Sequence, residues 1–175
     1  MNQKRPLRVL AISGSLRRGS SNTALVRAAA RLAPPGVSVS LYCELAEIPP
    51  FNPDLDAPAT VTRFRARLQT CDALLISSPE YAHGVPGVLK NALDWVVGSG
   101  ELVEKPTAVI NASGRATRAW LSLADTLTVM SARVIAAASV TVPLDGRTLD
   151  ADGIVRDAAL STALGSAIAA LVVAV

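Results

Sequence analysis

Short, almost uninterrupted apolar runs alternate with longer segments of helical periodicity along this 175-residue chain. The runs have strand length and lie at Leu7–Ser13, Val37–Tyr42, Ala73–Ser78, Pro106–Ala112 and Val134–Val142. Because most of these runs lack regular alternation of polar residues, we expect a parallel sheet that helices cover on both faces. The length gives one compact core and little room for two, so we predict a single domain over residues 1–175.

The segments between the runs predict helices. Their expected bounds are Asn22–Leu32, Thr60–Gln69, Val88–Val97 and Ala119–Met130. A turn at Asp150–Gly153 precedes a last helix in the uncharged stretch that ends at Val175. In that stretch Leu160, Leu164 and Ile168 recur at helical spacing, which favours a helix laid on the sheet over a membrane span. The N-terminal segment runs into the first strand and lacks the pattern of a signal peptide, so we expect a cytoplasmic protein that does not contact a membrane.

The charge and the metal-binding residue types exclude several classes of function. Seventeen Lys and Arg against fourteen Asp and Glu give a net charge of +3, but the arginines are scattered and form no basic stripe for nucleic acid. The excess therefore suggests at most a small anionic ligand. Cys43 and Cys71 are far apart, and His83 is the one histidine, so neither a disulfide framework nor a metal site is expected.

The alternation of strands and helices predicts an α/β three-layer sandwich, a five-stranded parallel sheet in the flavodoxin-like order 2-1-3-4-5. In such sheets a ligand lies beyond the carboxyl ends of the strands, where the strand order reverses. The expected crevice lies between strands one and three. Functional residues should therefore follow Ser13 and Ser78 directly.

The loop after the first strand is rich in glycine and hydroxyl groups and opens a helix, as phosphate-binding loops do. Its candidate donors to phosphate oxygens are Ser15, Ser20, Asn22 and Thr23, and Arg17 would supply the balancing charge. Gly14 and Gly19 have the spacing of a Walker A loop, but Ser20 stands where that loop has lysine.

An ordinary strand–helix turn is the alternative for this loop, with Ser20, Ser21 or Asn22 simply capping the helix. A capping role does not require the neighbouring Arg17 and Arg18. The two arginines therefore favour the phosphate hypothesis.

The loop after the third strand contains two prolines and two glycines between Pro79 and Gly87. Such a backbone is irregular and lets a flat heterocyclic ligand approach closely. Tyr81 and His83 add an aromatic surface and a titratable donor. Alternatively, His83 is an exposed loop residue and Tyr81 packs on a neighbouring helix.

The helix after this loop has simpler interpretations. Lys90 and Asp94 are four residues apart, as in a surface ion pair. Trp95 has the character of a core or subunit-interface residue.

The segments GSLRRGSSN and SPEYAHGVPGVLKNALDW together resemble the NADPH-dependent FMN reductase family, which includes quinone, azo-dye and chromate reductases. The resemblance extends from about Leu7 to Asp157 and includes the turn Asp150–Gly153. It implies a flavodoxin-like fold, tightly bound FMN and a homodimer or homotetramer. The chain departs from the family at Ala82, where asparagine commonly follows the PEY triplet, and in a glycine-poor segment at 111–119.

The resemblance also implies a set of cofactor-binding residues. Ser15, Arg17, Ser20 and Asn22 would hold the FMN phosphate. Ser21 and Thr23, which lie in the same loop, are further candidate cofactor-binding residues on the chemistry of the loop itself. The residues expected along the isoalloxazine ring and its pyrimidine edge are Pro79, Glu80, Tyr81, His83 and Gly84. Ser113 and Gly114, after the fourth strand, would lie beside the ring. Arg115 and Arg118 either meet the 2′-phosphate of NADPH or are solvated surface residues.

The implied activity is an FMN-dependent oxidoreductase that passes two electrons from NADPH or NADH to a quinone or similar small acceptor by a ping-pong mechanism. No side chain is assigned a catalytic role, because the flavin carries the chemistry. The alternatives are a flavodoxin-type electron carrier and a non-catalytic flavin-binding regulatory module. Carriers tend to be acidic and to clamp the ring between aromatic side chains, whereas this chain has six aromatic residues and only Tyr81 within the two loops.

Overall fold

The computed structural model describes residues 5–144 and 146–175. In chain order the strands and helices are β1 (Leu7–Ser13), α1 (Ser21–Leu32), β2 (Val37–Tyr42), α2 (Ala59–Thr70), β3 (Ala73–Ser77), α3 (Gly87–Asp94), β4 (Pro106–Ile110), α4 (Arg118–Val129), β5 (Arg133–Val134), α5 (Ala151–Arg156) and α6 (Ala158–Val173). Short 3-10 turns lie at Leu45–Glu47 and Ala136–Ala138. The expectation of no leader at residues 1–4 falls outside the described residues.

The strands form one parallel sheet in the order β2-β1-β3-β4-β5, which confirms the predicted topology. Ser13 of β1 pairs with Ser77 of β3, and Ser77 pairs with Ile110 of β4. The carboxyl ends of these three strands therefore lie level with one another, at the edge where a ligand is expected.

Helices cover both faces of the sheet, as predicted. On one face α2, α3 and α4 bury residues such as Phe64, Leu89 and Leu123 against the strands. On the other face α1, α5 and α6 do the same, with Leu25 and Leu164 fully buried. Each residue of β3 and β4 is buried, which explains why their sequences lack polar alternation.

The fifth strand is much shorter than predicted. It spans Arg133–Val134 rather than Val134–Val142, and Ala136–Ala138 form a 3-10 turn. Alanine is a poor strand former, and this turn packs against α6. The chain rejoins the sheet only as an isolated bridge between Asn111 and Thr141.

Smaller boundary differences have local causes. β3 ends at Ser77, one residue early, because Pro79 lacks the N–H that would continue the ladder. β4 ends at Ile110, since Asn111 bonds instead to Val140 and Val142. The predicted turn at Asp150–Gly153 is the start of helix α5, and α3 stops at Asp94 rather than Val97.

Asp72, at the start of β3, fastens the edge of the sheet opposite to the expected ligand edge. Its carboxylate accepts hydrogen bonds of 2.7 Å from the backbone N–H of Arg8 and from both terminal nitrogens of Arg5. The Arg5 contact is the main reason why the pKa of Asp72 falls from its usual 3.8 to about 2.

Replacing Asp72 with asparagine should lower the free energy of unfolding at pH 7 by about 1–2 kcal/mol, since Arg5 is largely exposed and solvent screens the pair. A carboxyl with a depressed pKa stabilises the fold above its unfolded pKa, and this contribution is lost as the pH falls through about 2. Urea denaturation should therefore show a difference between Asp72→Asn and wild type that shrinks below pH 4. A difference that does not change down to pH 2 would contradict this account.

After β3 the chain makes a tight hairpin turn. Tyr81 and Gly84 exchange backbone hydrogen bonds of 3.1 and 2.9 Å. The two central residues, Ala82 and His83, have φ values of 49° and 63°. This is the type I′ geometry, which normally requires Gly or Asn.

Ala82→Gly should stabilise the protein by about 0.5–1 kcal/mol, because relief of left-handed strain at a Cβ-bearing residue exceeds the entropic cost of glycine. The same substitution at the exposed helical residue Ala66 is the matched control and should destabilise by about 1 kcal/mol. Thermal or urea unfolding measures both. A loss of stability in Ala82→Gly would show that the turn is not strained.

Candidate functional site

The loops that follow β1 and β3 touch at the base of the site. The backbone N–H of Gly14 donates to the carbonyl of Ser77 over 2.9 Å. A Cβ at position 14 would lie 2.5 Å from Ser78 Oγ and 3.0 Å from a Leu89 methyl carbon. The two loops can therefore approach this closely only because residue 14 is glycine.

The loop after β1 leads into helix α1, which begins at Ser21. Ser20 is the N-cap, and its Oγ accepts a hydrogen bond of 3.4 Å from the N–H of Thr23. This bond confirms the capping role that the alternative of an ordinary strand–helix turn assigned to Ser20. The N–H groups of Ser21 and Asn22 in the first turn have no acceptor among the described residues. Free N–H groups at a helix N-terminus form a favourable place for an anion.

Two hydroxyl contacts join α1 to the strand ends. The buried Ser77 donates from Oγ to Asn22 Oδ1 over 2.8 Å. Ser13 and Thr23 share a hydroxyl–hydroxyl hydrogen bond of 2.8 Å. With its carbonyl oxygen engaged, Asn22 retains the two N–H donors of its amide for the cavity that it lines.

The loop after β4 is held by Asn111, a buried polar residue that the sequence analysis did not assign to the site. Its Oδ1 accepts from the backbone N–H of Ser113 over 3.1 Å, and its Nδ2 donates to the carbonyl of Ala116 over 3.0 Å. Asn111 is 2% exposed. Its amide therefore shapes the loop that carries Ser113, rather than facing solvent.

Glu80 connects the loops after β3 and β4. Its Oε2 accepts from the backbone N–H of Ala119 over 2.8 Å, and its Oε1 lies 3.1 Å from Nδ1 of His83. The bond from Ala119, followed by the contact with His83, holds the pKa of the Glu80 carboxyl below its ordinary value. Both carboxylate oxygens are thus engaged within the protein.

These loops enclose a cavity of about 390 Å³ at the carboxyl edge of the sheet. Its lining comprises Arg17, Gly19, Ser21, Asn22, Ser78, Pro79, Glu80, Asn111, Ala112, Ser113, Ala116, Leu144, Gly146, Arg147, Thr148 and Leu149. Arg17 has no carboxylate partner among the described residues. The cavity thus combines a free cation, free N–H donors and an apolar side, which suits a ligand with an anionic end and a flat body.

Leu144 and residues 146–149 line a wall of the cavity that sequence reasoning missed. Leu144 and Leu149 supply apolar surface, and Arg147 is held by Asp157 at 2.8 Å. Asp157 also caps α6. The nearby turn Asp150–Gly153 belongs to the family resemblance and was the available signal, but no local pattern indicated that the residues before it fold back over the site.

The predicted cofactor-binding residues are distributed around this edge of the sheet. Six of them line the cavity, namely Arg17, Ser21, Asn22, Pro79, Glu80 and Ser113. Ser15 and Thr23 line a neighbouring cavity of about 320 Å³ toward β2, and Ser20 and Thr23 line one of about 560 Å³ between α1 and α5. The remaining predicted residues, Tyr81, His83, Gly84 and Gly114, lie outside the lining of these three cavities.

The structure also shows the surroundings of the residues for which the sequence left alternatives open. Tyr81 is 56% exposed and does not pack into a helix interface, and the His83 side chain is 67% exposed. Trp95 is a core residue, 3% exposed. Lys90 and Asp94 form the expected ion pair at 2.5 Å.

A metal site and a membrane-spanning helix are absent from residues 5–144 and 146–175. That part of the chain holds no group of three or more His, Cys, Asp or Glu side chains arranged to bind a metal ion. It also holds no helix with the length and apolar character needed to span a membrane.

Comparison with known proteins places this architecture among flavin reductases. The family model for NADPH-dependent FMN reductase matches residues 7–146. An NAD(P)H-dependent FMN reductase of Pseudomonas aeruginosa is 39% identical over 159 residues, which cover 86% of this chain and 85% of that protein. A quinone reductase of Pseudomonas putida is 40% identical over 113 residues, which cover 60% of this chain and 59% of that relative.

A solved structure extends the comparison over almost the full chain. FerB, an NAD(P)H:(acceptor) oxidoreductase from Paracoccus denitrificans, is 31% identical and covers 95% of both chains, with a TM-score of 0.77. The family match spans the three strand ends and both loops that build the cavity. The chain therefore belongs to the NADPH-dependent FMN reductase family and is an oxidoreductase that uses FMN and NAD(P)H.

Proposed function

We propose that the cavity of about 390 Å³ binds FMN and that the chain transfers two electrons from NAD(P)H to a quinone or similar small acceptor. The observation that carries the proposal is the meeting of the β1 and β3 loops at Gly14. Next to this contact, Ser21 and Asn22, whose N–H groups have no acceptor among the described residues, line one cavity together with Arg17. The quinone reductase named among the relatives supports this class of acceptor.

The residues present fit a flavin phosphate at one end of the cavity. Arg17 and the first turn of α1 offer positive charge and N–H donors, with Asn22 as a side-chain donor. Glu80 is the carboxylate in the described lining, and its two oxygens already have partners in His83 and Ala119. Arg17 in the same lining has no carboxylate partner among the described residues, so its charge is available to a phosphate.

The other end of the cavity suits a planar ring. Pro79 restricts the backbone after β3, and the apolar side chains of Leu144 and Leu149 lie in the same lining. FMN, when bound, accepts a hydride from NAD(P)H and passes two electrons on to the acceptor. The exposed Tyr81 does not close over the cavity, which supports an open face for both substrates in turn.

We propose one flavodoxin-like domain and a homodimer or homotetramer. Trp95 is buried and α6 packs its leucines on the sheet, so these apolar residues have internal roles. Exposed apolar residues on α4, Leu121 at 58% and Val129 at 77%, support a subunit contact instead. Light scattering measures the assembly directly.

Arg17→Ala should weaken FMN binding about ten- to a hundredfold, because a charge-assisted hydrogen bond to phosphate contributes roughly 1.5–3 kcal/mol. Quenching of flavin fluorescence on titration gives the dissociation constant. Arg133→Ala, at the opposite edge of the sheet, removes an exposed arginine as the matched control and should bind FMN like wild type. An unchanged constant in Arg17→Ala would remove Arg17 from the phosphate site.

Steady-state oxidation of NADPH by a quinone should follow ping-pong kinetics, since one open face serves the two substrates in succession. Double-reciprocal plots at several quinone concentrations should give parallel lines. Intersecting lines would show that both substrates bind together. Negligible turnover with every acceptor, despite FMN binding, would favour the electron carrier or the regulatory module.

A further inference from the structure

The Glu80 carboxylate joins two segments that are far apart in the sequence. Glu80 lines the cavity in the loop after β3, and its side chain is 12% exposed. Ala119, which donates its backbone N–H to Glu80 Oε2 over 2.8 Å, belongs to the first turn of α4, 39 residues later. The other carboxylate oxygen, Oε1, lies 3.1 Å from Nδ1 of His83, within the hairpin turn of the same loop. One side chain therefore fastens the loop after β3 both to its own turn and to helix α4.

Helix α4 depends on this contact because it lacks a cap of its own. Its N-cap residue, Thr117, makes no side-chain capping bond. The first N–H groups of a helix have no partner within the helix and favour a negative charge nearby. Glu80 supplies both an acceptor and that charge from a different segment, and its lowered pKa has the same origin.

The engagement of both oxygens also bears on how Glu80 acts in the site. Each oxygen of the carboxylate has one partner within the protein, Ala119 or His83, and these two contacts orient the side chain between the loop after β3 and helix α4. We therefore assign Glu80 the role of a positioning residue, which acts on a ligand through the segments that it joins.

We propose that Glu80 couples FMN binding in the cavity to the order of the first turn of α4. The inference rests on the proposed function, because FMN is the occupant that steadies the loop after β3. A ligand that fixes this loop also fixes Glu80, and through Glu80 it fixes the N–H of Ala119. Coupling between two sites is reciprocal, so loss of the Glu80 bridge must also weaken FMN binding.

Hydrogen exchange at the Ala119 amide, followed by NMR with and without saturating FMN, tests the coupling. In wild type FMN should slow this exchange several-fold. In Glu80→Ala the slowing should be lost, and the FMN dissociation constant should rise about tenfold. Glu80→Gln keeps one oxygen as an acceptor for Ala119 but loses the charge, so its FMN dissociation constant should lie between those of wild type and Glu80→Ala. This second variant tests the coupling if Glu80→Ala does not fold.

Asp72→Asn is the matched control. Asp72 also accepts a backbone N–H and contacts a basic side chain, Arg5, but it lies at the opposite edge of the sheet. The Asp72→Asn variant should bind FMN like wild type, and FMN should still slow exchange at Ala119. A comparable rise in the dissociation constant of this variant would show that the Glu80 effect is general destabilisation, and would overturn the inference.

The outcomes separate the inference from the proposed function. If wild type binds FMN and the Glu80 variants bind it equally well, with the same slowing at Ala119, the coupling is wrong and the proposed function stands. If wild type does not bind FMN at all, the proposed function fails and the coupling fails with it.

Discussion

The contact between Gly14 and the end of β3 is the constraint on which the rest of the site depends. β1 and β3 are neighbours in the sheet, but the helices that follow them pack on opposite faces. The chain continues from β1 into α1 on one face, and from β3 into α3 on the other. Such a divergence opens a crevice at the carboxyl edge. The close approach at Gly14 sets the width of this crevice. It brings the glycine- and hydroxyl-rich loop after β1 against the proline-containing loop after β3.

Much of this arrangement could be predicted from the sequence, because it depends on local patterns and general rules of topology. Continuous apolar runs gave the bounds of β1 and β2 correctly, and the right-handed crossover rule leaves few orders for five parallel strands. The position of the site followed from the strand order. The identity of individual ligand contacts did not follow, and for Ser15, Tyr81, His83 and their neighbours it remains a prediction.

The features that escaped prediction arise from long-range packing. The Asn111 amide holds a loop from within, and Glu80 caps a helix 39 residues away. Neither spacing has a sequence signature, since the partners meet only once the sheet has formed. The shortened β5 likewise reflects a competition between strand pairing and the packing of three alanines against α6, which apolar character alone does not decide.

The scarcity of aromatic residues agrees with a site built from backbone N–H groups, arginine and small polar side chains. Its donors are held rigidly by α1 and its loops are fastened to each other through Glu80. A crystal structure of the chain with FMN tests this account most directly. We expect the FMN phosphate to lie within hydrogen-bonding distance of the Ser21 and Asn22 N–H groups and of Arg17. A phosphate bound anywhere else, with the first turn of α1 left empty, would contradict it.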